Sequence, residues 1–306
     1  MKFINGLTSL QNSTQACVAT IGNFDGLHLG HQTILAHLNV KAKELDLPVT
    51  VISFEPLPAE YFMLEPPARI YPLRDKIQRL SKLGVDNFLC LKFNSNLASS
   101  PPTEFIEHIL INKLNVKYLA VGDDFRFGYK REGGFNLLKQ VGEANGMIVE
   151  DTSTQIQNGQ RISSTRIREA LSNGDLATAK QLLGHTYQLN GRIRHGDKRG
   201  RTIGFPTLNM KVTNKIALRF GVYAVKVHGL GDCAISGVAN LGTRPTVDGQ
   251  ENRLETHLFD FDTEVYGKYI SVEFKAFIRA EHKFENFDAL KEQIDIDASK
   301  ARSLLI

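Results

Sequence analysis

Three glycines and two histidines lie within ten residues near the N-terminus, in the stretch GNFDGLHLGH at residues 22–31. Glycines let a backbone pass close to a ligand. His28 and His31 are three residues apart, so one helical turn would place both imidazoles on the same face. A helix N-terminus adds free N–H groups and the positive end of its dipole, which suit phosphate. The stretch therefore predicts a site that holds phosphate charge.

The flanking sequence places this stretch on a strand-to-helix turn. The apolar run at residues 17–21 is typical of a buried parallel strand, and apolar residues recur at helical spacing from residue 32 to residue 45. We expect further strands at 49–54, 85–91, 118–122 and 147–150, and helices at 74–83, 102–114, 135–143 and 176–183. This alternation predicts an α/β domain with a doubly wound parallel sheet.

Ligands of such sheets bind beyond the carboxyl ends of the strands, where three other segments are expected. The loop at 55–58, EPLP, is too rich in proline for helix or sheet, and together with Phe54 it offers an apolar wall for a flat ring. The segment at 122–129 is an acidic turn with aromatic residues. Residues 162–168, ISSTRIR, predict a capped helix start whose hydroxyls and arginines suit an anion.

These four segments resemble known enzyme motifs. Residues 22–31 resemble the GxFDxxHxGH signature of the nucleotidyltransferase superfamily, in which the two histidines hold ATP phosphates and stabilise charge as pyrophosphate leaves. Together the segments resemble the adenylyltransferase module of bacterial bifunctional riboflavin kinase/FAD synthetases. The resemblance implies catalytic roles for His28 and His31, and ATP contacts from Gly22, Asn23, Phe24, Asp25, Gly26, His28, His31, Ser163, Ser164, Thr165 and Arg168. It also implies a flavin pocket lined by Phe54, Pro56, Pro58, Asp123, Phe125 and Phe127.

The periodicity changes in the second half of the chain. Short alternating segments occur at 187–193, 207–210, 222–227, 234–239, 253–259 and 269–277, with glycine or asparagine turns between several of them. This pattern is typical of an antiparallel β-barrel. We expect a C-terminal helix at 287–305 to cover one side of the barrel. The change predicts two domains, at residues 1–184 and 185–306.

The second domain contains a candidate metal and phosphate site. Thr207 and Asn209 would point to the same face of a strand, where a hydroxyl and an amide oxygen can hold Mg²⁺. Glu255 lies within a later strand, where a glutamate is ordinarily a solvent-facing residue. The basic glycine loop at 191–201 is ordinarily a solvated hairpin, and it lacks the GxxxxGK[ST] pattern.

These features resemble the riboflavin kinase module, whose signature is a PTxN run followed by a catalytic glutamate. Glu255 is the best match for that glutamate; Glu251, Asp260 and Asp262 look more like turn or surface residues. The resemblance implies ATP and Mg²⁺ contacts from Gly196, Arg201, Gly204, Pro206, Thr207 and Asn209, with Thr207 and Asn209 as metal ligands. Family members commonly have alanine where this chain has Leu208, which we expect to face away from the metal.

The resemblance covers essentially the whole chain and implies two reactions. Riboflavin and ATP would give FMN in the barrel, and FMN and ATP would give FAD in the α/β domain, with Mg²⁺ accompanying ATP. An alcohol must lose a proton when it attacks phosphorus, which fits Glu255 as a base. The FMN phosphate is already largely ionised, so the second reaction needs charge neutralisation and alignment but no base.

Composition sets the remaining expectations. The 306 residues carry a net charge of +4 and are 42% hydrophobic, as in ordinary globular proteins. No apolar run suits a membrane span and no signal peptide pattern is present, so we expect a cytoplasmic protein without a membrane partner. Three cysteines show no metal-ligand spacing; Cys17 and Cys90 are expected in the core.

Two alternatives remain open at this point. A monofunctional nucleotidyltransferase with another acceptor would leave the barrel and its PTLN run without a purpose. A nucleic-acid-binding protein could use the basic loop at 192–201 on a barrel. The mild net charge does not demand a nucleic-acid partner, and the loop lacks interleaved aromatic residues for base stacking. We therefore expect small-molecule partners and no nucleic acid.

Overall fold

The computed structural model describes residues 1–10, 15–122, 124–152, 156–157, 160–195, 205–212, 215–246 and 249–306. Contacts between residues divide the chain into two compact units. Unit 1 comprises Met1–Pro67 and Lys76–Ser163, and unit 2 comprises Ala68–Asp75 and Ser164–Ile306. The expected boundary after Gly184 concerns separable activities and stays a prediction.

Unit 1 contains a parallel sheet of six strands in the order β1-β4-β3-β2-β5-β6. The strands are β1 (Lys2–Asn5), β2 (Cys17–Ile21), β3 (Val49–Glu55), β4 (Asn87–Lys92), β5 (Val116–Gly122) and β6 (Ile148–Thr152). The five expected strands are confirmed, and β1 is an addition. Because β3 and β5 flank β2 on opposite sides, the strand order reverses at β2. The carboxyl end of β2 is therefore where a doubly wound sheet binds ligands.

Helices connect these strands. They are α1 (Leu29–Leu45), α2 (Pro58–Phe62), α3 (Leu73–Lys82), α4 (Ser95–Ser99), α5 (Pro102–Glu104) and α6 (Phe135–Ala144). The division between the units falls within α3. Helix α5 continues as a π-helix over Phe105–Lys113. A two-stranded ribbon joins β7 (Ile156–Gln157) and β8 (Gln160–Arg161). The expectation of a loop through residue 58 is wrong at its end, because Pro58 begins α2. Proline is tolerated there, since the first helical residue has no intrahelical N–H bond to lose.

Burial in unit 1 matches a sheet that is covered on both faces. Every residue of β2 is buried, as the continuous apolar run predicts. Cys17 and Cys90 are core residues, as expected, at 3% and 2% exposure. Burial raises the pKa of the Cys17 thiol to about 11, so this cysteine is a packing residue.

Unit 2 contains a closed barrel of six antiparallel strands in the order β10-β13-β12-β11-β14-β9, and β9 pairs back with β10. Two helices precede it, α7 (Ser164–Asn173) and α8 (Leu176–Leu183), and α9 (Phe287–Leu304) follows it. The strands are β9 (Gln188–Arg194), β10 (Thr207–Val212), β11 (Gly221–His228), β12 (Ile235–Thr246), β13 (Gly249–Leu258) and β14 (Tyr269–Ala280). All six expected strands and the C-terminal helix are confirmed.

Helix α9 packs on the outside of the barrel, as expected. Its buried Ala301 joins a hydrophobic cluster with Val222 and Val238 from β11 and β12. The guanidinium of Arg279, on β14, donates hydrogen bonds of 2.7–3.0 Å to both carboxylate oxygens of Asp297, on α9. Asp297 is only 3% exposed. The helix is therefore fixed against the barrel by apolar contacts and by a bidentate ion pair.

Candidate active sites

The turn between β2 and α1 has an unusual backbone. Phe24, Gly26 and Leu27 all have positive φ, at 48°, 92° and 46°. Residues other than glycine rarely adopt a positive φ. Phe24 and Leu27 are almost completely buried, at 2% and 1% exposure. We infer that burial of these two apolar side chains holds the turn in its strained conformation.

The two histidines lie together at the start of α1. His28 is the N-cap, and its Nδ1 accepts a hydrogen bond from the backbone N–H of His31 at 3.4 Å. Their rings stack with centroids 3.7 Å apart and an interplanar angle of 19°. Because Nδ1 of His28 is an acceptor, the proton of the neutral ring lies on Nε2. That N–H can donate to a ligand oxygen at the helix N-terminus.

The surroundings keep both histidines neutral. Burial, and then the charge of Arg161, lower the pKa of His28 to about 4. Burial also lowers the pKa of His31 well below its usual value, and the charges of His28 and Lys76 act in the same direction. At neutral pH both rings are therefore uncharged hydrogen-bond donors. A bound phosphate would raise both pKa values, since an opposite charge favours the protonated ring.

Lys76 is a residue of this site that the sequence did not reveal. It lies on α3, is 2% exposed, and its Nζ donates a hydrogen bond of 2.7 Å to the backbone oxygen of Asn23. A buried ammonium thus holds the turn that presents the histidines. The helical pattern at 74–83 did not indicate that Lys76 is buried, because a lysine in such a pattern ordinarily faces solvent.

The residues expected to line the flavin pocket are largely core residues. Phe54 and Phe127 are 8% and 7% exposed and belong to the hydrophobic core of unit 1. Phe125 stacks on Phe127 with centroids 5.5 Å apart. Pro56 and Pro58 are half-buried, and Asp123 lies outside the described residues. These rings can supply the floor of a pocket.

An aromatic group beside Phe54 was not expected. Phe93 makes edge-on contacts with Phe54, Tyr61 and Phe62, with centroids 5.4–5.8 Å apart. Tyr61 and Phe62 are 43% and 66% exposed. Exposed aromatic rings that pack on the half-buried Phe93 form a surface on which another flat ring can pack. The signal in the sequence was the Tyr-Phe pair that follows the FEPLP loop.

The segment with adjacent hydroxyls begins α7. Ser163 is the last residue of unit 1, and Ser164, Thr165 and Arg168 belong to unit 2. The helix starts at Ser164, as the sequence predicts. Nε of Arg168 donates a hydrogen bond of 2.8 Å to the backbone oxygen of Ala68. The joint binding of ATP by these residues and the histidines stays a prediction.

Unit 2 contains a cavity of about 570 Å³, called here the larger cavity, which is lined by Thr207, Asn209 and Glu255 and by residues of α9. Strand register brings these groups together, because Asn209 is the partner of Glu255 in the β10–β13 pair. Directly opposed side chains share one face of an antiparallel pair. The sequence placed Thr207 and Asn209 on one face, and the barrel adds Glu255 to that face.

Arg253 is a further cation of this site, and the sequence did not reveal it. It lies two residues before Glu255 and lines the same cavity. Its guanidinium is 3.4 Å from Oδ1 of Asn209 and 3.7 Å from Oε1 of Glu255. The guanidinium therefore helps to orient the side chains of Asn209 and Glu255.

The competing carboxylates are placed elsewhere. Glu251 pairs with Lys211 at 3.1 Å, and Asp260 pairs with Arg302 at 3.0 Å. Asp262 lines a second cavity of about 140 Å³, called here the smaller cavity. Of the carboxylates considered from the sequence, Glu255 is the one that lines the larger cavity with Thr207 and Asn209.

The smaller cavity lies next to the larger one. Pro206, Thr207 and Asn209 line it together with Asp262 and Tyr266. Thr207 and Asn209 therefore border both cavities. The expected ATP contacts Gly196, Arg201 and Gly204 lie outside the described residues.

The fold and the two sites define a two-module transferase, with a nucleotidyltransferase-like sheet followed by a barrel. Family models match both modules: FAD synthetase matches residues 10–166, and riboflavin kinase matches residues 183–305. A bifunctional riboflavin kinase/FMN adenylyltransferase of Haemophilus influenzae is 49% identical over 304 residues, covering 99% of both chains. One of Escherichia coli K12 is 46% identical, covering 99% of this chain and 97% of the relative. The chain belongs to the bifunctional riboflavin kinase/FMN adenylyltransferase family.

A solved structure has the same fold over its whole length. It is described as a macrolide-efflux protein from Streptococcus pneumoniae, is 30% identical, and superimposes with a TM-score of 0.83 over 99% of both chains. That description concerns the other protein. In the part of this chain that the structure describes, no helix combines the length and the apolar character that crossing a membrane requires.

Proposed function

We propose that this chain phosphorylates riboflavin with ATP to give FMN, and then transfers the adenylyl group of ATP to FMN to give FAD and pyrophosphate. The observation that carries this proposal is the larger cavity, in which Thr207, Asn209 and Glu255 meet within a barrel. Membership of the family supports both reactions. A monofunctional nucleotidyltransferase is not favoured, because both halves of the chain match the family over 99% of its length.

In the kinase reaction, the terminal ribityl hydroxyl oxygen attacks the γ-phosphorus of ATP. The hydroxyl proton passes to the Glu255 carboxylate, the bond from the γ-phosphorus to the bridging oxygen breaks, and ADP leaves. We assign riboflavin to the larger cavity and the ATP phosphates to the side of the smaller cavity. Since Thr207 and Asn209 border both cavities, they lie where the two substrates would meet.

The same two side chains fit a magnesium ion. A hydroxyl and an amide oxygen are the hard ligands that Mg²⁺ prefers, and Thr207 and Asn209 would hold the ion. No cluster of three His, Cys, Asp or Glu residues that could hold a metal occurs among the described residues. The ion is therefore expected to arrive with the ATP phosphates. When bound, it neutralises phosphate charge.

In the adenylyl reaction, a phosphate oxygen of FMN attacks the α-phosphorus of ATP and pyrophosphate leaves. The nucleophile is already ionised, so this site needs donors in place of a base. His28 offers its Nε2 proton at the N-terminus of α1, beside His31. Ser163, Ser164, Thr165 and Arg168 are proposed to add further donors to ATP. The rings around Phe54 and Phe125 are proposed to pack against the flavin.

The test is incubation of the purified chain with riboflavin and Mg-ATP, followed by separation of flavin products over time. We expect FMN to appear first, and FAD and pyrophosphate to follow. Absence of any phosphorylated flavin would contradict the proposal. RNA binding with a steep salt dependence, together with no flavin turnover, would favour a nucleic-acid-binding protein.

A further inference from the structure

Glu281 is a second carboxylate of the larger cavity. It follows β14 directly and lines the cavity together with Glu255. Its position depends on Gly242 of β12, because a Cβ at that position would collide with Oε1 of Glu281. The backbone at residue 242 thus leaves space that the carboxylate occupies. The proposed kinase reaction needs one base, so this second acid requires another explanation.

Asn240 connects the two carboxylates. It is the register partner of Glu255 in the β12–β13 pair, and its side-chain amide donates a hydrogen bond to the Glu281 carboxylate. Opposed residues of an antiparallel pair have Cβ atoms about 5 Å apart. Glu281 therefore lies one side chain away from the proposed base.

The Glu281 carboxylate keeps acceptor capacity for a ligand. A carboxylate can accept about four hydrogen bonds, and the amide of Asn240 supplies one. The neighbouring cation, Arg279, directs its hydrogen bonds to Asp297 and to the backbone oxygen of Ala280. Partial burial raises the pKa of the Glu281 carboxyl above its usual value, although Asn240 and the charge of Arg279 oppose this shift. Part of the side chain remains exposed, so a ligand can reach it.

We propose that Glu281, positioned by Asn240 and Gly242, is a specificity-determining residue that accepts hydrogen bonds from the ribityl hydroxyls of riboflavin. This inference rests on the proposed kinase function. The ribityl chain places several hydroxyl donors within a few bonds of the one that reacts at Glu255, whereas the N–H donor of the flavin ring, at N3, lies on the outer pyrimidine ring, many bonds from that hydroxyl. A carboxylate one side chain from the base thus meets ribityl hydroxyls. These bonds direct the terminal hydroxyl toward Glu255.

The experiment compares two ligands on the full-length protein. Riboflavin and lumiflavin share the ring, but lumiflavin has a methyl group in place of the ribityl chain. We expect Glu281→Ala to weaken riboflavin binding about tenfold or more, since the variant removes hydrogen bonds to a charged group. Lumiflavin binding, followed by flavin fluorescence, should change by less than about twofold. Glu285→Ala is the matched control, because Glu285 is exposed on the same segment and does not line the cavity.

Two further variants distinguish a specific loss of riboflavin binding from misfolding. Glu281→Gln keeps the shape of the side chain, and Gly242→Ala should displace Glu281 without removing it. Both should lower riboflavin affinity selectively. Equal losses for riboflavin and lumiflavin, or no loss for either, in Glu281→Gln would overturn the inference. A wild-type protein that fails to phosphorylate riboflavin would instead refute the proposed function, whereas normal riboflavin binding by Glu281→Ala in an active enzyme refutes only this inference.

Discussion

The two candidate sites use titratable side chains in opposite ways. In unit 1, His28 is 7% exposed and its pKa is lowered to about 4, so it is a neutral donor. In unit 2, the Glu255 side chain is 44% exposed and lies beside the guanidinium of Arg253. This difference matches the nucleophiles of the two proposed reactions. In unit 1 the nucleophile would be an ionised phosphate, which needs hydrogen-bond donors around the leaving group. In unit 2 it would be an alcohol, which needs an ionised acceptor for its proton.

The sites also differ in how the chain builds them. The turn of unit 1 is continuous in sequence, and its geometry depends on positive φ at Phe24 and Leu27. The site of unit 2 is assembled from separate strands, through the register that pairs Glu255 with Asn209 and Asn240. A motif can therefore identify the first site, whereas the second depends on contacts that are distant in sequence.

The largest expected effect is at Glu255. Glu255→Gln keeps the size of the side chain and removes the proposed base, and loss of a general base typically costs about 10²- to 10⁴-fold. Initial rates with riboflavin should fall accordingly, and rates with FMN should stay at the wild-type level. Glu251→Gln is the control, because Glu251 pairs with Lys211 outside the larger cavity. A kinase rate within about threefold of wild type would exclude Glu255 as the base.

Substitution of the histidines should have the opposite selectivity, with loss of FAD formation and not of riboflavin phosphorylation. His28→Ala or His31→Ala removes a proposed donor to the ATP phosphates, and loss of such a donor costs about 10²-fold or more. FAD formation from FMN should fall, while riboflavin phosphorylation stays nearly intact. His108→Ala, which alters an exposed histidine of unit 1, should change neither rate. Equal loss of both activities in the histidine variants would contradict separate sites.

A smaller loss is expected at Lys76. Lys76→Met removes the hydrogen bond to the backbone oxygen of Asn23, and should lower FAD formation about tenfold through a displaced turn. Lys76→Arg should restore part of the rate. Lys82→Met changes an exposed lysine of the same helix and serves as the control. If Lys76→Met and Lys82→Met have equal rates, Lys76 has no positioning role.

The pH dependence of stability gives a test without substrates. The pKa of His28 falls from 6.5 to about 4 on folding, so the unfolded chain binds more protons between these values. The free energy of unfolding should therefore decrease by about 3 kcal/mol as pH falls through this range. Chemical denaturation at several pH values measures the slope, and His28→Asn should reduce it. An unchanged slope in that variant would show that His28 is not the titrating group.

The smallest change in rate is expected from separating the domains. A fragment of residues 184–306 retains every residue that lines the larger cavity, so it should phosphorylate riboflavin and make no FAD. It loses the hydrogen bonds from Tyr187 to Ile70 and from Asn190 to Asp75, each contributing about 1 kcal/mol. The fragment should therefore unfold at a lower temperature. A folded fragment without kinase activity would contradict the boundary after Gly184.

Local patterns predicted most of the fold. The buried strand β2, the helix that begins within the HLGH motif and the six barrel strands all follow from periodicity and turn residues. Strand β1 was missed because its four residues carry one buried side chain, Ile4, which gives no periodic signal. The start of α2 was missed because Pro58 breaks a helix in its interior but suits its first position.

Candidate site residues could be predicted where they lie together in one segment of the sequence, as in residues 22–31. The proximity of His28 and His31 was expected from their spacing, although His28 has an extended backbone as the N-cap and lies just before the first helical turn. Lys76, Arg253 and Glu281 were not predicted, because their roles depend on burial and strand register. A lysine in a helix or an arginine in a strand is ordinarily exposed, and nothing in the local sequence distinguishes these residues from that case.

Chemical independence of the two sites can be measured by giving one variant of each site both flavin substrates. Glu255→Gln and His31→Ala are each supplied with Mg-ATP and either riboflavin or FMN, and the flavin products are separated. We expect Glu255→Gln to make FAD from FMN but almost nothing from riboflavin, and His31→Ala to convert riboflavin to FMN without forming FAD. A folded variant that loses both reactions would show that the two sites are not independent.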